Sequence, residues 1–236
     1  MKGSFTLSRP LLLPLFLGVL PALGQGSFQN LNFESALIDQ THAPGGVSTT
    51  DALPGWTAYS STNQATQVLF NDFCLGATCI SLLGTNSVFV SPIEGGFSVL
   101  LQGGLAGSGL MLYPAAASIR QTGLVPASSR SIRFKAQLDT FGVPGVFSVS
   151  LDGVNIPYVS LSSGPNYTLY GGDISPFAGR TAELGFSLFG GAGIDYSVWN
   201  LDSIEFSSLA IPEPSVIGLS ALGAALLGWR FWHKRR

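Results

Sequence analysis

The chain has 236 residues, with 11 basic and 13 acidic side chains and a formal net charge of −2. This length suits one domain or two small ones. Residues 25–210 carry five basic and twelve acidic residues, a balance of −7. That balance argues against a nucleic-acid-binding protein, which needs a basic footprint.

The N-terminus predicts a secretory signal peptide over residues 1–24. Lys2 and Arg9 precede an apolar run over residues 10–20, and small residues follow where a signal peptidase requires them. A retained transmembrane helix is the alternative, but the run is short and contains prolines. The residues at the expected cleavage site are Ala22, Gly24 and Gln25.

The body, residues 25–206, consists of short apolar stretches separated by Gly, Pro, Ser and Thr, and it shows no helical period. We expect about ten strands, the first of them over residues 27–33. Residues 131–138 and 181–188 alternate between polar and apolar side chains, which predicts half-buried strands. Asp152-Gly153 predicts a two-residue hairpin. The predicted fold is therefore all-β, a jelly-roll β-sandwich.

Two cysteines, Cys74 and Cys79, enclose a short loop. In an exported protein this spacing predicts a disulfide. Because the loop is small, its closure should stabilise the fold only modestly. A metal pair and a redox pair are the alternatives, but no further ligands lie nearby in the sequence and the spacing is not C-x-x-C.

The sequence contains no recognisable catalytic constellation, which predicts a protein that is not an enzyme. His42 is the one histidine of the body and lies in a Pro/Gly-rich loop, with no nucleophile elbow visible. A triad with distant partners and two-carboxylate glycosidase chemistry are the alternatives. Trp56 and Trp199 are the candidate glycan-contact residues, with core packing as the competing interpretation.

The C-terminal residues 211–236 have three parts in a fixed order, after a linker over residues 207–210. A stiff Pro-Glu-Pro motif comes first. An uncharged run over residues 216–229 follows, about 21 Å long as a helix against a hydrocarbon core of roughly 30 Å. Flanking aromatics extend the predicted transmembrane helix to residues 216–232. The motif residues are Pro212, Glu213, Pro214 and Ser215, and the basic residues of the cytoplasmic end, 230–236, are Arg230, Lys234, Arg235 and Arg236.

This combination closely resembles the PEP-CTERM sorting signal of Gram-negative bacteria. The resemblance implies that exosortase recognises and cuts the tail after signal peptidase has removed the leader. The chain would be tethered to the inner membrane before processing and would then reach the cell envelope, the outer surface or the extracellular space, often alongside exopolysaccharide. An unprocessed membrane anchor is the alternative, although a dedicated anchor is normally longer.

The body also resembles galactose-binding-like jelly rolls, which occur in carbohydrate-binding modules and bacterial surface proteins. The stretches that carry this resemblance are residues 32–34, 53–56, 172–186 and 199–206. No cofactor is expected except a structural Ca²⁺ that such folds often bind near their strand ends. The residues that the resemblance assigns to it are Glu34, Asp39 and Glu205.

Together these features predict an exported, non-catalytic component of the cell surface or extracellular matrix. The alternatives are a polysaccharide-active enzyme of the glycoside hydrolase class and a protein-binding adhesion module. Two carboxylates roughly 5 to 9 Å apart in an open groove would favour hydrolysis. An aromatic-lined face without paired acids would favour glycan binding, and a large apolar patch without a groove would favour a protein partner.

Overall fold

A computed structural model describes residues 27–108, 111–141, 144–190 and 196–211. The predicted signal peptide and the sorting motif with its transmembrane helix lie outside these ranges. Within them, no helix combines the length and the apolar character needed to span a membrane. The strands are β1 (Gly45–Ser48), β2 (Thr57–Ser60), β3 (Asn63–Ala65), β4 (Gln67–Phe70), β5 (Cys79–Gly84), β6 (Phe97–Ser108), β7 (Met111–Leu124), β8 (Ser131–Phe141), β9 (Val146–Leu151), β10 (Val154–Asn155), β11 (Tyr158–Ser163), β12 (Thr168–Asp173), β13 (Thr181–Phe189) and β14 (Tyr196–Ser207).

The strands form one curled sheet in the order β10-β9-β13-β7-β6-β14-β8-β12-β11, with β1 to β5 attached beside β6 and β7. The long β6–β7 hairpin joins the two halves of the sheet. β7 pairs with β13 and β2, whereas β6 pairs with β14 and β5. We call β2, β3, β7, β9, β10 and β13 the first layer, and the remaining strands the second layer. A helix α1 (Thr49–Ala52) and a 3₁₀ turn (Ser175–Phe177) complete the described structure.

Aromatic side chains fill the space between the layers. Phe147 of β9 stacks on Trp199 of β14, with ring centroids 4.0 Å apart. Phe134 of β8 meets Phe186 of β13 edge to face at 5.4 Å. Each ring pair joins one strand of the first layer to one strand of the second, and such pairs contribute about 0.5–1.5 kcal/mol beyond simple burial. The predicted all-β sandwich is confirmed in this two-layer arrangement.

Glycines allow the layers to approach closely at one corner. A Cβ on Gly103 would lie 2.4 Å from the backbone nitrogen of Gly190, and a Cβ on Gly190 would lie 2.0 Å from the nitrogen of Gly104. No real side chain tolerates such distances, so this crossing of β6 with the end of β13 requires glycine.

The Asp152-Gly153 hairpin is confirmed. Leu151 pairs with Val154, and the two turn residues have φ angles of 49° and 74°. These positive values are typical of the turn that Asp-Gly favours.

The strand predicted over residues 27–33 is wrong. Apart from an isolated bridge at Ser27, the segment forms turns, and Asn30 and Phe33 have positive φ angles of 49° and 60°. The Asn30 carboxamide accepts the N–H of Ser35 at 2.9 Å. An asparagine side chain that bonds the following backbone favours a turn over a strand.

Candidate functional site

Both tryptophans that the sequence assigns to glycan contact lie in the core instead. Trp56 is 5% exposed and Trp199 is 6% exposed. The indole N–H of Trp56 donates to the carbonyl of Asn30 at 3.0 Å, and Trp199 stacks on Phe147. Neither ring offers a free face to a ligand. Burying such large apolar side chains stabilises the fold, and these two rings therefore act as core residues.

The predicted calcium site is not assembled. The Glu34 carboxylate accepts the N–H groups of Gly96 and Phe97 at 2.9 and 3.0 Å. Asp39 accepts the backbone N–H of Thr41, which lowers the pKa of that carboxyl, and Glu205 is exposed. In the described ranges no group of three or more His, Cys, Asp or Glu side chains could hold a metal. The structure therefore does not bring Glu34, Asp39 and Glu205 together as a group that could hold a metal, and Glu34 and Asp39 bind backbone N–H groups.

The predicted disulfide is not formed, because Cys74 and Cys79 are free thiols. A hydrogen bond between the two thiols lowers the pKa of Cys74. The same hydrogen bond raises the pKa of Cys79.

A pocket of 310 Å³ opens on the outer face of the second layer. Its floor consists of Leu83, Leu100 and Val198, on the adjacent strands β5, β6 and β14. Their chain neighbours Leu82, Leu101 and Trp199 belong to the core. Because side chains alternate along a strand, the floor residues face away from the core.

Two phenylalanines from the loops on either side of β5 form the wall of this pocket. Phe73 is 36% exposed and Phe89 is 53% exposed, and their ring centroids lie 4.4 Å apart in an edge-to-face arrangement. Asn200 ties the Phe89 loop to the sheet, because its side-chain amide donates to the carbonyl of Ser91 at 3.2 Å and its oxygen accepts the Ser98 hydroxyl at 2.6 Å.

The polar side chains of this pocket are Asp72, Gln102 and Asp139. We call the floor, the two phenylalanines and these three residues the aromatic pocket. Gln102 is fully buried. Its amide nitrogen donates to the carbonyls of Cys74 and Ala77, and its Oε1 has no partner in the structure. This atom is closed to solvent in the structure. A buried acceptor left without a donor costs about 1–3 kcal/mol, so a ligand donor that reached it through a small shift of the Gln102 side chain would be favourable.

A second depression, of 290 Å³, lies on the outer face of the first layer. We call it the serine groove; serines line it together with Arg120 and Glu183. Arg120 Nη1 lies 3.5 Å from Glu183 Oε1, and its guanidinium lies 4.9 Å from the centre of the Tyr59 ring. The charged groups of this groove therefore satisfy each other, which is typical of the wet face of a sandwich. The serines are Ser118, Ser148, Ser150 and Ser187.

No protein-family model matches the chain. No curated protein matches it. Among solved structures, the chain is similar to the carbohydrate-binding module TmCBM61 in complex with β-1,4-galactotriose, at 13% identity and a TM-score of 0.41, over 76% of this chain and 96% of that one. A second similar structure comes from the carbohydrate-binding modules of the β-sandwich superfamily. Its identity is 9% and its TM-score 0.38, over 77% of this chain and 62% of that one.

A third similar structure is the enzymatically active domain of tailspike protein 4 from bacteriophage CBA120. Its identity is 15% and its TM-score 0.33, over 71% of this chain but 21% of the tailspike chain. Similarities this distant leave the function to be argued from the residues of this chain.

Proposed function

We propose that the chain is an exported, non-catalytic protein of the bacterial cell surface that binds a glycan in the aromatic pocket. The observation that carries the proposal is the combination of exposed Phe73 and Phe89 with the unpartnered, buried oxygen of Gln102. Ligand sites typically combine apolar and aromatic walls with a few polar groups that fix orientation. A sugar ring supplies both matching features, C–H groups for the rings and hydroxyl donors for the oxygen.

The size of the pocket suits a short part of a longer glycan. Its 310 Å³ lie at the lower end of the roughly 300–1,000 Å³ that small-molecule sites occupy. We therefore expect a few sugar units to be held while the rest of the chain extends into solvent.

The aromatic pocket is lined by two carboxylates, Asp72 and Asp139, but their placement favours binding without hydrolysis, because Asp72 Oδ1 already accepts the N–H of Phe73 at 2.8 Å. Glycoside hydrolysis uses a carboxylic acid that stays protonated near neutral pH, opposite a second carboxylate. Burial raises the pKa of Asp202 to about 7, but Asp202 does not line the aromatic pocket. Both of its oxygens accept backbone N–H groups, from Glu94 and Ser203.

The two ends of the sequence support the surface location. We propose that signal peptidase removes residues 1–24 and that exosortase processes the PEP-CTERM tail, residues 211–236. The short apolar run and the basic end would hold the precursor in the inner membrane until then. Exopolysaccharide outside that membrane is the proposed partner of the aromatic pocket.

A glycan array probed with the purified full-length chain tests this function. Replacing Phe89 with alanine should raise Kd at least about tenfold, equivalent to about 1.4 kcal/mol. Phe189→Ala is the matched control, because Phe189 is 48% exposed and does not line the pocket. Equal binding by wild type and Phe89→Ala, or no bound glycan, would contradict the proposed site. New reducing ends in the bound glycan would contradict its non-catalytic character.

A further inference from the structure

We infer that the aromatic pocket selects glycans that carry a free, protonated amino group, such as hexosamines whose nitrogen is not acylated. The inference rests on the proposed glycan-binding function and names the class of sugar that the same site prefers. Three observations lead to it: the hydrogen-bonding character of the lining side chains, their charge and the accessibility of the two rings.

The polar side chains of the pocket offer acceptors and no free donor. Carboxylates accept only, and the lining includes those of Asp72 and Asp139. The Gln102 amide nitrogen already donates to the carbonyls of Cys74 and Ala77, which leaves its oxygen as the free atom. An ammonium group has three donors and no acceptor, so it matches this lining better than a hydroxyl, whose acceptor side would find no side-chain donor.

The charge of the lining points the same way. Asp72 and Asp139 are its charged members, and no lysine, arginine or histidine stands among the described lining residues. Asp139 is exposed, and its side chain has no hydrogen bond or ion pair with another described residue. Lys135, which lies four residues before Asp139 on β8 and outside the pocket lining, is already paired with Glu94. A cationic sugar would supply the missing counter-charge, whereas a uronic acid would be repelled.

The two phenylalanine rings add a further attraction. A cation near the face of an aromatic ring is stabilised by the ring quadrupole, more strongly when water is excluded. Phe73 and Phe89 meet edge to face, so the pocket presents an exposed aromatic surface beside two carboxylates. A neutral sugar gains contact with the rings and the hydrogen bonds of its hydroxyl groups, while an amino sugar adds the attraction between its charge and the two carboxylates.

Three trisaccharides with the same β-1,4 backbone test the inference by calorimetry on the full-length chain: the glucosamine trimer, its N-acetylated form and the glucose trimer. At about pH 6 the sugar amine is protonated, and at about pH 9 it is neutral. We expect the glucosamine trimer to bind at least tenfold more tightly than the other two at the lower pH, and to lose that advantage at the higher pH.

Asp139→Asn should reduce the preference to less than about threefold, because one lining carboxylate is removed. Asp51→Asn is the matched control, an exposed acid outside the pocket, and should leave the preference unchanged. Glucosamine binding that survives in Phe89→Ala would be non-specific attraction to an acidic protein and would overturn the inference.

Different results would contradict the preference for an amino group and the glycan-binding function itself. If N-acetylated or neutral glycans bind as tightly as the glucosamine trimer, and Phe89→Ala abolishes that binding, the glycan site stands and the preference for an amino group is wrong. If no glycan binds on the array or by calorimetry, both are wrong.

Discussion

Asp202 gives a quantitative test of how the wall of the aromatic pocket is held. Its side chain is 1% exposed and accepts the N–H of Glu94 at 3.0 Å and that of Ser203 at 2.5 Å. The first of these bonds fastens the end of the segment that carries Phe89. Burial, together with the charges of Glu34 and Glu94, raises the pKa of Asp202 to about 7, although the two backbone hydrogen bonds act in the opposite direction.

A carboxyl whose pKa is raised on folding makes stability fall as pH rises. Between the unfolded pKa of about 3.9 and the folded pKa of about 7, the folded chain holds a proton that the unfolded chain has lost. The contribution of Asp202 is therefore fully present below about pH 4 and is lost by about pH 7. At 1.36 kcal/mol per pKa unit, Asp202 contributes at most about 4 kcal/mol to the free energy of unfolding.

Urea unfolding between pH 4.5 and 8.5 measures this contribution in wild type and Asp202→Asn. We expect the stability of wild type relative to the variant to fall across the acidic range and to level off above neutral pH. Similar m-values would show that both proteins expose the same surface on unfolding. If the two stability curves run parallel over the whole range, Asp202 does not titrate as the structure requires.

Three further predictions follow from the core, the thiols and the tail. Phe147→Ala should lower the free energy of unfolding by about 3–5 kcal/mol, whereas exposed Phe189→Ala should change it by less than about 0.5 kcal/mol; equal losses would contradict the packing. Alkylation followed by peptide mass mapping should label Cys74 before Cys79, because a lowered pKa gives more thiolate; the reverse order would contradict the hydrogen-bonded pair. Triple alanine at residues 212–214 should block tail processing on gels and retain the protein in the inner-membrane fraction, and unchanged processing would remove the sorting proposal.

Much of the strand pattern could be predicted because local sequence and tertiary burial agree there. The alternation at residues 131–138 and 181–188 lies within β8 and β13, where one face packs on the core and the other stays polar. The Asp152-Gly153 turn needs no tertiary information, because its backbone preference is local.

The long hairpin of β6 and β7 could be predicted only in part. Residues 97–101 and 118–122 show strand patterns, but both strands are much longer. The intervening segment is rich in Gly and Ala, which have little side-chain area to show a period. The ends of β6 and β7 become strands because they pair with each other, which a local pattern does not show. The close approach of the backbone at Gly103 is likewise visible only in three dimensions.

The site was harder to predict because chain position does not reveal which aromatic ring is left uncovered. Trp56 and Trp199 stand at inward positions, whereas Phe73 and Phe89 lie in loops that meet only in the folded chain. One signal was available: each phenylalanine lies outside the segments whose strand period predicts burial. The unpartnered oxygen of Gln102 has no signature in the sequence.

The most direct measurement is a crystal structure of the chain with the glycan that the array selects. The proposed function predicts a sugar ring against Phe89, with a donor of the sugar within hydrogen-bonding distance of Gln102 Oε1. A sugar bound in the serine groove beside Arg120 and Glu183, with the aromatic pocket filled by solvent, would contradict it.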